Sequence, residues 1–193
     1  MKTICFASGN QNKVDEIRHK LGTSILITGL KDLGFTNDIP ETGNSLEENA
    51  RIKARFVHEK FGINCFADDT GLMVDALGGA PGVFSARYAG DQRNSDDNIS
   101  KLLSEMDSQD HRNAHFLTAI CLILDNEEHM FFGNVHGTIQ RERRGAQGFG
   151  YDSVFVPSLS SRTFAEMSLD EKNLLSHRAI AVAALKKFLE KGK

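Results

Sequence analysis

Two aspartates stand side by side in Phe66-Ala67-Asp68-Asp69-Thr70-Gly71, where an apolar run ends. Adjacent carboxylates at the end of a buried strand repel one another and resist desolvation, so they call for a compensating charge. Mg²⁺ suits that need, because it takes hard oxygen ligands from one or two carboxylates and completes its shell with phosphates and water. Successive strand residues face opposite sides, so one of the pair is expected to face a site. The same run also fits a turn in which both aspartates accept from backbone N–H groups. Glu41, in Pro40-Glu41-Thr42-Gly43, supplies a further carboxylate.

Other segments suit a polyanionic tail. In Ala7-Ser8-Gly9-Asn10-Gln11-Asn12-Lys13 a hydrophobic strand gives way to a helix through a glycine turn. The helix N-terminus offers backbone N–H groups and partial positive charge, Ser8 and Asn10 add donors, and Lys13 adds a full charge. The Gly-rich spacer of a Walker loop is missing, and an ordinary Asn-capped turn has the same composition. Lys53 lies four residues after Asn49 on one helix face; it either reaches a phosphate or stands solvated. Arg87, after Gly78-Gly79-Ala80-Pro81-Gly82, is a possible phosphate fork or a surface arginine.

A third group suits a base. Gly148-Phe149-Gly150-Tyr151-Asp152 sets two aromatics and a carboxylate among glycines. A ring can stack on a base and a carboxylate can accept from a ring N–H, although Phe149 and Tyr151 could equally anchor the loop. Lys172, His177 and Arg178 place three donors about one helix start.

The elements that must position these groups alternate. Strands are expected at Thr3–Ala7, Ile25–Thr28 and Cys65–Asp68. Helices are expected at Gln11–Leu21, with Val14, Ile17 and Leu21 on one face, at Ser45–Phe61, and at Asp96–Met106. Ser45 with Glu48, and Ser168 with Glu171, read as capping boxes. Two long strands near Ala114–Asp125 and Met130–Gln140 flank Asn126-Glu127-Glu128 and read as a hairpin. A last helix from Ser176 to about Glu190 is expected to bury Ala181, Ala184, Leu185 and Phe188, with Gly192 as its stop. A hairpin inside an alternating chain predicts an α/β fold with a mixed sheet.

Bulk properties narrow the function. The 193 residues suit one domain, and the 40% hydrophobic and 25% charged composition is globular. A net charge of −3 disfavours a general nucleic-acid binder. No apolar run approaches the ~20 residues needed to span a bilayer, and the N-terminal apolar stretch is too short for a signal peptide. Three cysteines, 5, 65 and 121, each in a strand-like run, fit reduced core thiols and a cytoplasmic setting rather than a zinc site.

These segments together, Ser8-Gly9-Asn10 with Lys13, Glu41-Thr42-Gly43, Asp68-Asp69-Thr70-Gly71-Leu72, Ala76 through Gly82 with Ser85-Ala86-Arg87-Tyr88, Gly148 through Asp152, and Lys172-Asn173 with Ser176-His177-Arg178, closely resemble the Ham1/inosine triphosphatase family of non-canonical purine nucleoside triphosphate pyrophosphatases. The match runs in order from about residue 3 to 189. The resemblance implies a single domain over residues 1–193, elongated and two-lobed, with the substrate in a cleft between the lobes. It implies a homodimer, Mg²⁺, and hydrolysis of ITP, dITP and XTP to the monophosphate and pyrophosphate. It assigns Asp69 as proton acceptor and metal ligand, and Glu41 to the metal. It assigns Ser8, Gly9, Asn10, Gln11, Asn12, Lys13, Thr70, Phe149, Gly150, Tyr151, Asp152, Lys172, His177 and Arg178 to the substrate. For the base, Lys172, His177 and Arg178 would donate to O6, Asp152 would accept from N1–H, and Phe149 would stack. Thr70, Ser153 and Ala179 replace the usual Ser, Pro and Gly, and none removes a reacting group. The competing readings are a Maf-like pyrophosphatase of different base preference and a nucleotide-sensing module that does not hydrolyse.

Overall fold

A computed structural model describes residues 2–22 and 25–191. Six strands form one mixed sheet: β1 (Lys2–Phe6), β2 (Ile25–Gly29), β3 (Cys65–Val74), β4 (Asn113–Leu124), β5 (Glu127–Ile139) and β6 (Phe155–Pro157), in the order β2-β1-β3-β4-β5-β6. β1 runs parallel to β2 and to β3, with Cys5 opposite Cys65 and Phe6 opposite Phe66. β6 is antiparallel to β5. Asp125 and Asn126, at φ 52° and 68°, make the two-residue turn between β4 and β5. A turn with both central residues at positive φ matches the twist of paired strands, so the expected hairpin forms, with a tighter turn than read and its second strand starting at Glu127 rather than near Met130.

The helices are α1 (Gln11–Leu21), α2 (Leu46–Phe61), α3 (Ser95–Glu105), α4 (Leu169–Leu175) and α5 (His177–Lys191). Local chemistry sets their ends. The Asn10 side chain caps α1 and the Asn94 side chain caps α3. Ser45 Oγ accepts from Glu48 N at 3.1 Å, but the Glu48 carboxylate turns to Asn44 N at 2.6 Å, so that box is half built. At α4 it is complete: Ser168 Oγ accepts from Glu171 N at 3.2 Å, and Glu171 accepts from Ser168 N at 2.8 Å. Ser176 closes α4, its N–H donating to Lys172 O. Gly192 lies outside the described residues. Of the expected α5 face, Ala181 and Leu185 are buried and Phe188 packs part-buried on the core; Ala184 alone is exposed, while Val182 and Leu189 complete the buried stripe.

Two compact units divide the chain: Met1–Asp69, Thr118–Gly133 and Arg178–Lys193 make the first, Thr70–Leu117 and Asn134–His177 the second. The first is built on Ile4, Phe6, Ile17, Leu21, Phe66, Ile120 and Leu185, and the Phe6 and Phe66 rings stack 4.8 Å apart. Val14, Ile17 and Leu21 are buried in it, as their spacing predicts. The second is built on Leu72, Leu102, Phe116, Tyr151, Phe155 and Phe164. Each large side chain so buried contributes about 1.5–3 kcal/mol. Among the described residues no helix is long and apolar enough to cross a membrane.

Candidate active site

β3 does not stop at Asp68. It continues to Val74, so Asp68, Asp69 and Thr70 are strand residues and the turn reading is excluded. Strand alternation gives the two aspartates different partners. Asp68, wholly buried, accepts from Lys13 Nζ at 3.0 Å and from Arg178 Nε at 3.2 Å. Arg178 also donates through a terminal nitrogen to Glu16 on α1. Burial opposes ionisation of Asp68, but the charges of Lys13, Arg178 and Lys53 outweigh it and hold the carboxyl well below the usual range. Burial lowers the Lys13 pKa more than Asp68 raises it.

Asp69 is held from α2. Lys53 Nζ donates to Asp69 Oδ1 at 3.0 Å and to Glu41 Oε1 at 2.7 Å. Asn49 Nδ2 donates to Asp69 Oδ2 at 3.1 Å, and Asn49 Oδ1 accepts from Gly43 N at 2.8 Å. Asn49 and Lys53 lie one helical turn apart, so both reach the same carboxylate. Lys53 is buried, which overturns the solvated-lysine reading. Burial opposes its charge, yet Asp69, Glu41 and Asp68 together raise its pKa. Gly43 must be glycine here: a Cβ would stand 2.6 Å from Glu48 Cβ and 2.9 Å from Asn49 Oδ1.

The phosphate-loop candidates flank this cluster in sequence. Ala7 N–H donates to Phe66 O at 2.8 Å, carrying the β1–β3 pairing up to the loop. Ser8 Oγ accepts from Asn10 N and Asn10 Oδ1 from Lys13 N, which shapes the turn, while Gly9, Asn10, Gln11 and Asn12 are exposed at the start of α1.

In the second unit, Asp152 Oδ2 accepts from Lys172 Nζ at 2.6 Å and from Phe149 N at 2.8 Å. The Lys172 ammonium lies 4.8 Å from the Phe149 ring centroid. Gly148, at φ 76°, is required, since a Cβ would stand 2.1 Å from Asp152 Oδ2. Gly150 opens the short 3-10 turn that carries Tyr151 and Asp152, and the Tyr151 hydroxyl donates to Ser85 O at 2.9 Å. Thr70 is part-exposed on β3. His177 is buried and stacks on Phe116 at 4.5 Å.

Lys172 and His177 both lie against the Phe164 ring, 5.8 and 6.4 Å from its centroid. Lys172 and Asp152 form one cluster, His177 rests on an aromatic ring, and Arg178 joins the Asp68 carboxylate. Asp152 uses Oδ2 to fix Lys172 and the loop backbone. Arg87 lies over the exposed Phe84 ring in its own loop, 5.8 Å from the centroid. Sequence did not single out Glu16 or the two hydrogen bonds of Asn49: Glu16 meets Arg178 162 positions away, and Asn49 joins a carboxylate 20 positions on to a backbone N–H.

Comparison with known proteins bears on this arrangement. A family model described as the Ham1 family matches residues 4–188. The chain belongs to the Ham1 family. It is 52% identical over 187 residues to a protein of Flavobacterium psychrophilum called dITP/XTP pyrophosphatase, covering 97% of this chain and 98% of that one. A protein of the same name from Bacillus subtilis is 43% identical, with 98% of each chain covered. The solved structure of the Staphylococcus aureus Ham1 protein matches with a TM-score of 0.90 at 37% identity over all of both chains.

The donor set of this Ham1 chain can be tested against a divalent cation. Among the described residues no three His, Cys, Asp or Glu side chains are placed to hold a metal by themselves. Glu41 and Asp69 nevertheless converge on one ammonium, at 2.7 and 3.0 Å. Two carboxylates sharing one cation leave a formal deficit of positive charge. Hard oxygens in that number fit Mg²⁺, which customarily takes its other ligands from water and substrate phosphates.

Proposed function

We propose that this chain hydrolyses deaminated purine nucleoside triphosphates (ITP, dITP and XTP) to the monophosphate and pyrophosphate. The observation that carries the reading is the pair Asp68 and Asp69: one carboxylate locked by Lys13 and Arg178, the next presented by Asn49 and Lys53. The names of the relatives support the substrate class.

In this reading Asp69 accepts the proton of a water whose oxygen bonds to the α-phosphorus. The bond from that phosphorus to its bridging oxygen breaks, and pyrophosphate leaves as one unit. Lys13, the Ser8–Asn12 turn and Lys53 offset the charge of the phosphate tail, and Thr70 adds a hydroxyl donor. Glu41 and Asp69 are the residues that would hold Mg²⁺, which when bound would neutralise developing charge on phosphate oxygens. Phe149 stacks on the base, Lys172 donates to O6, and Asp152 with Gly150 and Tyr151 holds that donor in place. His177 lines the same end, and Arg178 holds Asp68. Adenine presents an amino donor where hypoxanthine presents O6, leaving buried groups opposed at a cost of roughly 1–3 kcal/mol each. The reading takes with it the Ham1 homodimer, a single two-lobed domain and a cytoplasmic setting.

The deciding experiment is hydrolysis of ITP, XTP, dITP and ATP in ¹⁸O-water, with and without Mg²⁺. Label in the monophosphate and a strong preference for ITP and XTP over ATP are expected. Label in pyrophosphate, or equal kcat/KM for ATP and ITP, would refute the reading.

A further inference from the structure

We infer that Asn49 is the positioning residue for Asp69: it fixes the plane of that carboxylate and ties it to the segment carrying Glu41. The inference rests on the reading of Asp69 as the proton acceptor and adds a residue to that site.

Gly43 N–H can only donate, and its partner at 2.8 Å is Asn49 Oδ1. The Asn49 side chain is therefore oriented with its NH₂ toward Asp69, where only an acceptor waits, at 3.1 Å. An inverted amide would set oxygen against carboxylate and NH₂ against N–H. Asn49 is 1% exposed and its bond to Asp69 is buried, so water does not compete for that bond. Each oxygen of Asp69 then has a separate protein donor, Lys53 on Oδ1 and Asn49 on Oδ2. A carboxylate held at both oxygens cannot swing about its terminal bond, whereas one held by a flexible lysine alone can. Position matters at this scale, since a shift of about 1 Å can cost 10²-fold in rate.

The second bond extends the consequence. Gly43 is two residues from Glu41, the other carboxylate on Lys53. The space a Gly43 side chain would need is filled by Glu48 Cβ and by Asn49 Oδ1, so the Gly43 backbone packs directly on the amide. One buried side chain thus sets the spacing of Glu41 and Asp69 from both sides.

The test compares Asn49→Ala, Asn49→Asp, Asp69→Asn and the double variant Asn49→Ala/Asp69→Asn, with ITP as substrate. Asn49→Ala is expected to lower kcat by about 10–100-fold with KM changed less than about threefold. Asn49→Asp, nearly isosteric, keeps the Gly43 bond but opposes Asp69, and is expected to fall at least as far; it carries the test if Asn49→Ala does not fold. The double variant should be no slower than Asp69→Asn, because positioning has no value without the group positioned. Wild-type kcat in a folded Asn49 variant, or losses that multiply in the double variant, would overturn the inference while leaving the proposed function intact. Near-normal turnover of Asp69→Asn would instead remove the reading on which it rests. A readout independent of turnover is the Asn49 side-chain amide NMR signal in protein free of nucleotide and metal. It should be protected from exchange in the wild type and displaced in Asp69→Ala; an unmoved signal would also overturn the inference.

Discussion

Arg178 Nε donates to Asp68 Oδ2 at 3.2 Å, joining the head of the last helix to β3 across 110 positions of sequence. The same guanidinium grips Glu16, and all three side chains are buried. Breaking such a pair leaves charges without a partner in a poor solvent. Arg178→Ala is therefore expected to lower unfolding free energy by about 3 kcal/mol or more. Adding Glu16→Gln to it removes one orphaned charge and should restore part of the loss. Urea unfolding at constant m-value measures both; an equal midpoint for the single and double variants would show that Glu16 and Arg178 are not coupled.

Lys53 is the cation shared by Glu41 and Asp69. Lys53→Met leaves two buried or half-buried carboxylates facing one another. Its thermal midpoint should drop by several degrees, and millimolar Mg²⁺ should raise it more than it raises the wild type, since the ion would replace the lost charge. A thermal shift indifferent to Mg²⁺ would argue against a metal at these two carboxylates.

Much of this arrangement was legible in sequence, and the illegible part has a common cause. Val14, Ile17 and Leu21 announced the buried face of α1 through spacing alone, and Ser168 with Glu171 announced the start of α4. Both are local patterns. The length of β3 was not legible, because Asp68-Asp69-Thr70-Gly71 has turn composition; only Lys13, Arg178, Lys53 and Asn49, brought in from other elements, make those aspartates tolerable in a strand. Lys53 stayed open between a phosphate contact and a solvated lysine for the same reason, since its partners lie 12 and 16 positions away. Glu16 sits in a polar helix, and nothing nearby marks it as the partner of a residue 162 positions on.

Lys172 is the polar centre of the cluster proposed to meet the base, 2.6 Å from Asp152 and over the Phe149 ring. Lys172→Met keeps most of the side-chain bulk and removes the donor. The expected result is a kcat/KM for ITP reduced by roughly 10–200-fold, the worth of about 1–3 kcal/mol, with a smaller loss for ATP. Steady-state kinetics on both substrates decide it; parallel losses would mean that Lys172 serves stability rather than selection.

The three cysteines are buried in β1, β3 and β4. Burial pushes the Cys5 and Cys121 thiols up to about 11 and Cys65 to about 12, the last also through its two sulfur neighbours. The thiolate is the reactive form. Native protein should therefore give almost no reaction with an aromatic disulfide reagent at pH 8, and denatured protein should give three thiols. Fast labelling of even one native cysteine would show that a strand of this sheet opens locally.

Glu171 links charge to pH at the start of α4. A hydrogen bond from Arg162, followed by bonds from Ser168, lowers its pKa from 4.5 to about 2. A carboxyl whose folded value is depressed favours the folded state above its unfolded value, and that contribution fades as pH falls toward the folded value. Wild type and Glu171→Gln should therefore differ in stability at neutral pH and converge between about pH 4.5 and 2. The group is exposed, so the difference should also shrink in high salt. Unfolding midpoints of the two proteins from pH 7 to pH 2 measure this; a gap that stays constant through the window would assign the role of Glu171 to helix capping by shape rather than to its charge.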